Sequence, residues 1–387
     1  MCHPVMMPAA GTPRPSTPAD AYDGPVNSST PPVAGTAASP APLAAPAPAA
    51  ADELRGALDR LLDGLPPKRT AAAVERLITS YRGRTQTHAP VLRDRADAIA
   101  YAAYRMPATF EAVTAALEAC AARMPAGWAP GSHVDVGGGT GAALWAAAEV
   151  WPMSRGAEVI DWAGPALDLG RELAAGAAQP AVRSARWRQQ RIGAEPELPA
   201  ADLITVSYVL GELTGADRDS LTDAAARAGS TVVLIEPGTP EGYLRIRSAR
   251  DRLVAAGLRV LAPCPHSDRC PIEPGSDWCH FAARVARSAL HRQVKGGVLP
   301  YEDEKFAYVA ATAAPAAAPD NAPRPVARVV RKPQLRKGQV LLDLCTPEGA
   351  LTRTTVTKRH GDTYRTARDT PWGAAWPPPE GTDVTPR

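Results

Sequence analysis

The sequence is poor in aromatic residues, at 5%, and has only three phenylalanines among its 387 residues. Its apolar content of 45% is enough for a sizeable core, though much of it is alanine. Lysine is scarce as well: 37 of the 43 basic residues are arginine. Guanidinium groups pair bidentately with phosphate, but the net charge of +3 is too small to identify a partner. No run of 18 apolar residues occurs, so no transmembrane helix is expected. Residues 1–8 have no charged stretch followed by an apolar one, and the first fifty contain one arginine (Arg14) beside Asp20 and Asp23. Neither a secretory signal nor an Arg-rich presequence fits, and a bacterial cytoplasm is the expected compartment. Cysteines number only six, and three of them fall within sixteen residues. In a reducing compartment such a cluster indicates metal ligation rather than disulfides.

What is abundant is proline, and it is unevenly placed. Residues 1–50 hold twelve prolines among Ala, Ser, Thr and Gly, a composition expected to remain disordered. From 51 to 128 the apolar spacing is helical: Leu54, Leu58, Leu61 and Leu62, then Val74, Leu77 and Ile78, then Phe110, Val113 and Leu117. This predicts an N-terminal helical domain. From 129 to 311 short apolar runs alternate with helical stretches. Strands are expected at His133–Val136, Glu158–Asp161, Ala185–Arg188, Asp202–Ser207, Thr231–Glu236, Leu258–Leu261 and Lys305–Ala310. Strands separated by helices predict a parallel doubly wound sheet. Thr239, Pro240 and Glu241 read as the start of a helix, with Thr239 as N-cap.

An Ala/Pro linker is expected at 312–323. A small β-rich basic domain follows at 324–376, with strands at Val340–Cys345, Thr352–Val356 and Thr363–Thr366, then a tail at 377–387.

Three glycines, Gly137, Gly139 and Gly141, directly follow the first strand and open a helix. Glycine suits a turn where the backbone must bend sharply and a ligand must approach closely. Asp161 lies at the end of the second strand, where a carboxylate accepts ribose hydroxyls. The G-x-G-x-G spacing, with Asp135 two residues before Gly137, favours S-adenosylmethionine over NAD. The expected class is therefore α/β, a Rossmann-type class I S-adenosylmethionine methyltransferase fold with helical and β-rich flanks. Trp162 is a candidate to stack on adenine.

Cys264, Cys270 and Cys279 lie in a cysteine-rich insert, 262–304, between the sixth and seventh strands. A closed site needs a fourth ligand. Cys345, at the end of an apolar strand, is the first candidate, with His266 and His280 as alternatives. Zinc sites usually pair their ligands two to four residues apart. The wider spacing here, and proline after Cys264 and Cys270, favour an iron–sulfur cluster over zinc.

Several motifs together resemble the methyltransferase-like ribosomal small-subunit family. They are Gly137–Trp145, Ser207–Leu213, Ile235–Gly242, Ala262–His266, Asp277–Phe281, Tyr301–Phe306 and Leu344–Gly349. The resemblance runs from about residue 75 to 376. It implies a [4Fe–4S] cluster on Cys264, Cys270, Cys279 and Cys345, with zinc as the alternative. It also implies a small ribosomal subunit partner and binding to its ribosomal RNA.

From Arg324 to Arg368 there are eleven basic residues against three acids. Arg331, Lys332, Arg336, Lys337, Lys358 and Arg359 are the candidate RNA contacts. A helix with Arg245, Arg247, Arg250 and Arg252, and another with Arg284, Arg287 and Arg292, are expected to extend that surface. No catalytic residue is evident. The Asp/Asn-Pro-Pro-aromatic tetrapeptide of base N-methylating enzymes is replaced by Ser207-Tyr-Val-Leu-Gly-Glu212. Glu212 and Glu236 are expected at the strand ends where substrate would sit, with capping a helix or pairing with an arginine as the alternative role for either. Three readings remain: a non-catalytic RNA-binding assembly factor, an active ribosomal RNA methyltransferase, and a small-molecule methyltransferase with structural zinc.

Overall fold

A computed structural model describes residues 49–63, 72–77, 91–152, 156–193, 196–287, 292, 299–313 and 326–378. Residues 1–48, most of the 312–323 linker and the tail beyond Pro378 lie outside the described residues.

The central sheet begins with β1 (Ser132–Val136), whose last four residues are buried. It continues with β2 (Gly156–Asp161), β3 (Arg186–Gln189), β4 (Ala201–Ser207) and β5 (Gly229–Pro237), all parallel. Next come β6 (Arg259–Ala262), β7 (Phe281–Ala286) and the long β8 (Tyr301–Thr312). The spatial order is β3-β2-β1-β4-β5-β8-β6, and β8 runs antiparallel to both its neighbours. An antiparallel last strand inserted beside β5 is the methyltransferase variant of the Rossmann plan, whereas the strand–helix alternation predicts parallel strands only. β4 and β5 are buried almost throughout because helices cover both faces.

One expectation fails at β7. Arg284, expected on a helix, lies in Phe281–Ala286, a strand whose residues alternate buried and exposed, while Arg287 follows that strand and Arg292 is helical as expected. Six residues are too few for periodicity to separate helix from strand. Pairing with β8, from Phe281 opposite Phe306 to Ala286 opposite Tyr301, decides the outcome.

Helices α1 (Ala50–Leu62), α2 (Arg95–Tyr104) and α3 (Met106–Ala121) precede the sheet. α2 starts at an Asp94 cap that accepts from the Asp97 N–H. Helix α4 (Ala142–Val150) follows the glycine turn, has five alanines among its nine residues and packs against α3. Leu117 and Met106 of α3, Trp145 of α4 and Val233 of β5 belong to one apolar cluster. The helical segment therefore shares its core with the sheet. Helices α5 (Gly164–Ala175), α6 (Pro180–Arg183), α7 (Gly215–Ala228) and α8 (Pro240–Ala255) complete the covering layers. The Thr239 cap of α8 forms as expected, accepting from the Gly242 N–H, with Pro240 at the first position.

The C-terminal sheet contains β9 (Ala327–Val329), β10 (Gln334–Arg336), β11 (Gln339–Cys345), β12 (Leu351–Thr357) and β13 (Ala375–Trp376). It is antiparallel and packs Val340, Leu342, Leu344 and Val356 into its own core. The strand expected at Thr363–Thr366 is instead helix α9 (Asp362–Asp369). Threonine and tyrosine favour strands locally, but here one face buries Ala367 and rests Tyr364 on the small core. Asp362 in the first turn and Arg368 in the last suit the helix dipole.

Candidate functional site

The glycine turn is held by backbone bonds to β2. Gly137 and Gly138 N–H groups both donate to Ile160 O, at 2.7 and 3.2 Å. Gly137, Gly139 and Gly141 all have positive φ, where a side chain would be strained. A Cβ on Gly137 would come within 2.0 Å of Val209 Cγ2, whereas one on Gly139 would meet nothing nearer than Asp161 Oδ2 at 3.9 Å. The turn therefore closes against β4 at its start and opens onto free space at Gly139. Asp161 ties it down: Oδ2 accepts from Gly139 N–H at 2.9 Å and Oδ1 from Ala163 N–H at 2.8 Å. Each oxygen keeps a second lone pair for a ligand hydroxyl. Burial pushes the Asp161 carboxyl above its ordinary range, and the backbone donors oppose that shift.

Asp135 is fully buried beneath the turn. Its Oδ1 accepts from Thr205 Oγ1 at 2.8 Å, and Oδ2 has no partner. Because Thr205 gives its proton to Asp135, His133 Nε2, 2.8 Å away, donates to Thr205. Burial pushes Asp135 up to about 7 and His133 down to about 4. Asp135 Oδ2 sits directly beneath Gly138, where a Cβ would come within 2.4 Å, so its charge would favour a positively charged ligand through the turn rather than by contact.

Glu212 and Glu236 divide the roles left open by the sequence. Glu236 is buried and fully engaged: Oε1 accepts from Leu210 N–H at 3.0 Å and Oε2 from Arg245 Nε at 2.6 Å. It fixes the 3-10 turn Leu210–Glu212. Glu212 is exposed at the mouth of the crevice. Partial desolvation by surrounding protein, with Asp161 and Glu236 nearby, pushes it up to about 7.

Sequence reasoning missed a second wall of this crevice. Tyr208 directly follows β4 and is the single non-glycine residue with positive φ among the described residues, at 60°. Its hydroxyl donates to Glu304 Oε1 at 3.1 Å, and Arg105 holds Glu304 with two bonds, at 3.0 and 3.2 Å. The Arg105 guanidinium lies 5.4 Å from the Tyr208 ring centre. Tyr101 of α2 lies within electrostatic reach of Asp161 and Glu212. The motifs Ser207–Leu213 and Tyr301–Phe306 contained Tyr208 and Glu304, but nothing in their spacing linked them to Arg105. Trp162 has the Arg191 guanidinium 5.5 Å from its ring centre.

The four cysteines converge from three directions. Cys264 follows β6, Cys270 and Cys279 precede β7, and Cys345 ends β11 of the other sheet. All four line one cavity of about 40 Å³, together with Tyr243, Arg250, Phe281 and Tyr308, and neither His266 nor His280 lines it. Cys345 Sγ lies 3.4 Å from His266 Nε2, and Cys270 Sγ lies 3.5 Å from the Tyr243 hydroxyl. Among the described residues no three His, Cys, Asp or Glu side chains converge closely enough to hold a single metal ion. Burial raises the Cys264, Cys279 and Cys345 thiols, Cys345 to about 12, while Arg250 and Arg328 oppose the shift at Cys264 and Cys345. Ligation would therefore release protons.

Arginines frame this cavity. Arg250, 4% exposed, donates to the His266 and Asp268 carbonyls. Arg247 donates to Ile272 O, and Arg328 bridges Pro263 O at 3.0 Å and Gly373 O at 2.7 Å. Arg331 forms an ion pair with Asp277. These contacts alter the expected basic surface. Arg245, Arg247, Arg250 and Arg252 are consumed by internal acceptors, with Arg252 on Asp219 and Asp223. Arg284 and Arg287 pair with Asp303 and Glu302. Lys332, Arg336, Lys337, Lys358 and Arg359 are exposed and have no ion-pair partner among the described residues. Four of them gather where the β10–β11 turn meets the end of β12: Lys358 N–H donates to Gly338 O at 3.0 Å.

Comparison with known proteins adds a second kind of observation. Residues 95–377 match the family described as mitochondrial small ribosomal subunit Rsm22. The human mitochondrial ribosome assembly protein METTL17 is 30% identical over 72% of this chain and 62% of its own length. The Rsm22-cox11 tandem protein 2 of Schizosaccharomyces pombe, also mitochondrial, is 26% identical over 41% of this chain. The chain thus spans under two thirds of the human protein and 26% of the fission-yeast one. Among solved structures, an O-methyltransferase family protein from Burkholderia thailandensis aligns with TM-score 0.37 and 13% identity, covering 68% of this chain and 71% of that one. A putative RNA methyltransferase from Pyrococcus horikoshii aligns with TM-score 0.33 and 12% identity, covering 62% and 96%. At these scores the likeness is distant.

Proposed function

The chain belongs to the mitochondrial small ribosomal subunit Rsm22 family, and from that premise we propose that it is a small-subunit assembly factor that binds ribosomal RNA and S-adenosylmethionine. The observation that carries the reading is the span of the family match. Residues 95–377 take in the glycine crevice, all four clustered cysteines and the unpaired basic tip.

The crevice supports the cofactor assignment by its charge. Asp135, Asp161, Glu212 and Glu236 place four carboxylates around one turn, and several raise one another's proton affinity. S-adenosylmethionine carries a sulfonium and an ammonium, which would relieve that repulsion. Asp161 would receive the ribose hydroxyls, and the open side of Gly139 would admit the ligand. The cysteine cavity supports a [4Fe–4S] cluster over zinc. A single zinc ion needs its ligands within about 2.3 Å of one point, whereas a cluster spreads its thiolates over several irons. Cys264, Cys270, Cys279 and Cys345 would hold it, and its contribution would be structural, joining the two sheets. The RNA contacts are assigned to Lys332, Arg336, Lys337, Lys358 and Arg359.

Co-sedimentation of the purified chain with small ribosomal subunits over a salt series tests the reading. Binding that weakens steeply with salt is expected, and absence of any affinity for subunits or their RNA would refute it. Anaerobic purification with iron, zinc and acid-labile sulfide analysis tests the cluster, and zinc without sulfide would overturn that part. A second reading, active methyl transfer to ribosomal RNA, is favoured by the retained cradle at Gly139. A map of modified nucleotides with and without the gene decides it. Tyr208 on Glu304, in place of the missing tetrapeptide, argues for the assembly role.

A further inference from the structure

One aromatic group is used by neither the crevice nor the cysteine cavity. Trp278 and His280 flank Cys279 in the chain, and their rings stack with centroids 5.3 Å apart and planes 17° apart. Trp372, from the segment before β13, meets His280 edge-on at 4.8 Å and 79°. Lys305, exposed on β8, places Nζ 4.6 Å from the Trp372 ring centre. Four side chains from three separated stretches thus form one ladder that ends in a cation.

Core packing holds only its inner side: Trp372 packs on the cluster that contains Phe281 and Tyr308, and Trp278 on the cluster that contains Tyr243 and Ile272. The neighbouring core aromatics Phe281, Phe306 and Tyr308 are buried, at 5%, 2% and 6% exposure. Trp278, His280 and Trp372 are only half-buried, and they sit where the C-terminal sheet meets the cysteine loop. The ladder is also held in place on both sides. Trp278 Nε1 donates to Gly238 O at 3.0 Å, just past the ligand end of β5. Asp277, next to Trp278, is clamped by Arg331. The nearby acid is thereby neutralised, while Lys305 has no ion-pair partner among the described residues. Flat π faces beside an unpaired ammonium match what an unstacked base and its phosphate require.

We propose that Trp278, His280 and Trp372, with Lys305, form a stacking site for an unpaired base of single-stranded RNA. The site rests on the RNA-binding reading but uses residues distinct from the basic tip, and its energy comes from stacking rather than from charge. Because Cys279 lies between two of the rings, whatever fixes that cysteine also sets the platform.

The test is fluorescence anisotropy of the full chain with a labelled single-stranded twelve-nucleotide RNA and an abasic oligomer of the same length. Trp372→Ala is expected to weaken the RNA about ten- to one-hundred-fold, to leave the salt slope unchanged and to leave abasic binding unchanged. Trp372→Phe, which keeps a stacking ring, is expected to recover most of the loss and guards against a folding defect. Equal binding by Trp372→Ala and the unsubstituted chain would overturn the site, as would an equal loss for RNA and abasic oligomer. If the unsubstituted chain binds neither oligomer, the RNA-binding reading falls and the site falls with it. Loss in Trp372→Ala alone, with RNA binding intact in the parent, isolates the stacking claim.

Discussion

Helix α8 and the tip of the C-terminal sheet are both rich in basic residues, yet the fold treats them in opposite ways. On α8, Arg245 takes a buried glutamate, Arg247 and Arg250 take loop carbonyls, and Arg252 takes two aspartates. At the tip, Arg336, Lys337, Lys358 and Arg359 face solvent without ion-pair partners among the described residues. The lesson concerns acceptors rather than charge. A guanidinium turned onto internal oxygens is scaffold, while a cation with no such partner remains available to phosphate. Counting charges along the chain cannot separate the two.

The strongest challenge to that contrast is Arg250→Ala. Two buried carbonyls would lose a charged donor, and the loop bearing Cys264 and Cys270 would lose its anchor. A destabilisation of about 3–5 kcal/mol is expected, read by denaturant unfolding, with RNA affinity unchanged in the folded protein. A loss of RNA affinity at unchanged stability would break the distinction.

The same rule applied to acids contrasts Glu236, whose two oxygens are occupied, with Asp135, whose Oδ2 is not. The folded Asp135 holds its proton up to about 7, against 3.8 for a free aspartate side chain. The folded state therefore binds more protons across that window, and Asp135 costs stability as pH rises through it. Asp135→Asn should stabilise the ligand-free chain by roughly 2–4 kcal/mol at pH 8 relative to pH 4. A pH-independent difference in melting would show that Oδ2 is not an uncompensated charge.

Smaller in stability, though not in binding, is the triple change Lys337→Ala, Lys358→Ala and Arg359→Ala. Unfolding should move by less than about 0.5 kcal/mol. The slope of log affinity for single-stranded RNA against log salt should fall by about 2, at roughly 0.7 per contact. An unaltered slope would place the RNA elsewhere.

The smallest effect is at Glu212, pushed up to about 7 at the crevice mouth. Its charge is present above that pH and lost below it. Affinity for S-adenosylmethionine should therefore fall about fivefold from pH 8 to pH 6. S-adenosylhomocysteine, which lacks the sulfonium, should change less, and Glu212→Gln should flatten the difference. Calorimetric titration of both ligands reads this directly.

The parts of the fold visible in the sequence are those governed by local rules. Gly137, Gly139 and Gly141 need positive φ, and β4 and β5 each centre on an apolar run bounded by turns. The four cysteines were legible through their chemistry. The rest depended on partners distant in sequence. Phe281–Ala286 becomes a strand because β8 offers it an edge, and Asp362–Asp369 becomes a helix because the small sheet needs a lid. Arg105, Tyr208 and Glu304 meet across about a hundred residues or more at each link, and only the closed fold brings them together.

Cys345 ends a strand of the second sheet, while its three companions lie in one loop of the first. On a ribosome this separation becomes a delay. Cys345 is made 66 residues after Cys279, roughly 3–13 s later at ordinary elongation rates. Until then the cavity has three thiols and an open side. A group that requires all four can be captured only once the C-terminal sheet has been synthesised and docked. Ligation by all four cysteines would thus act as a timer on synthesis, closing only around a chain whose C-terminal sheet is already in place.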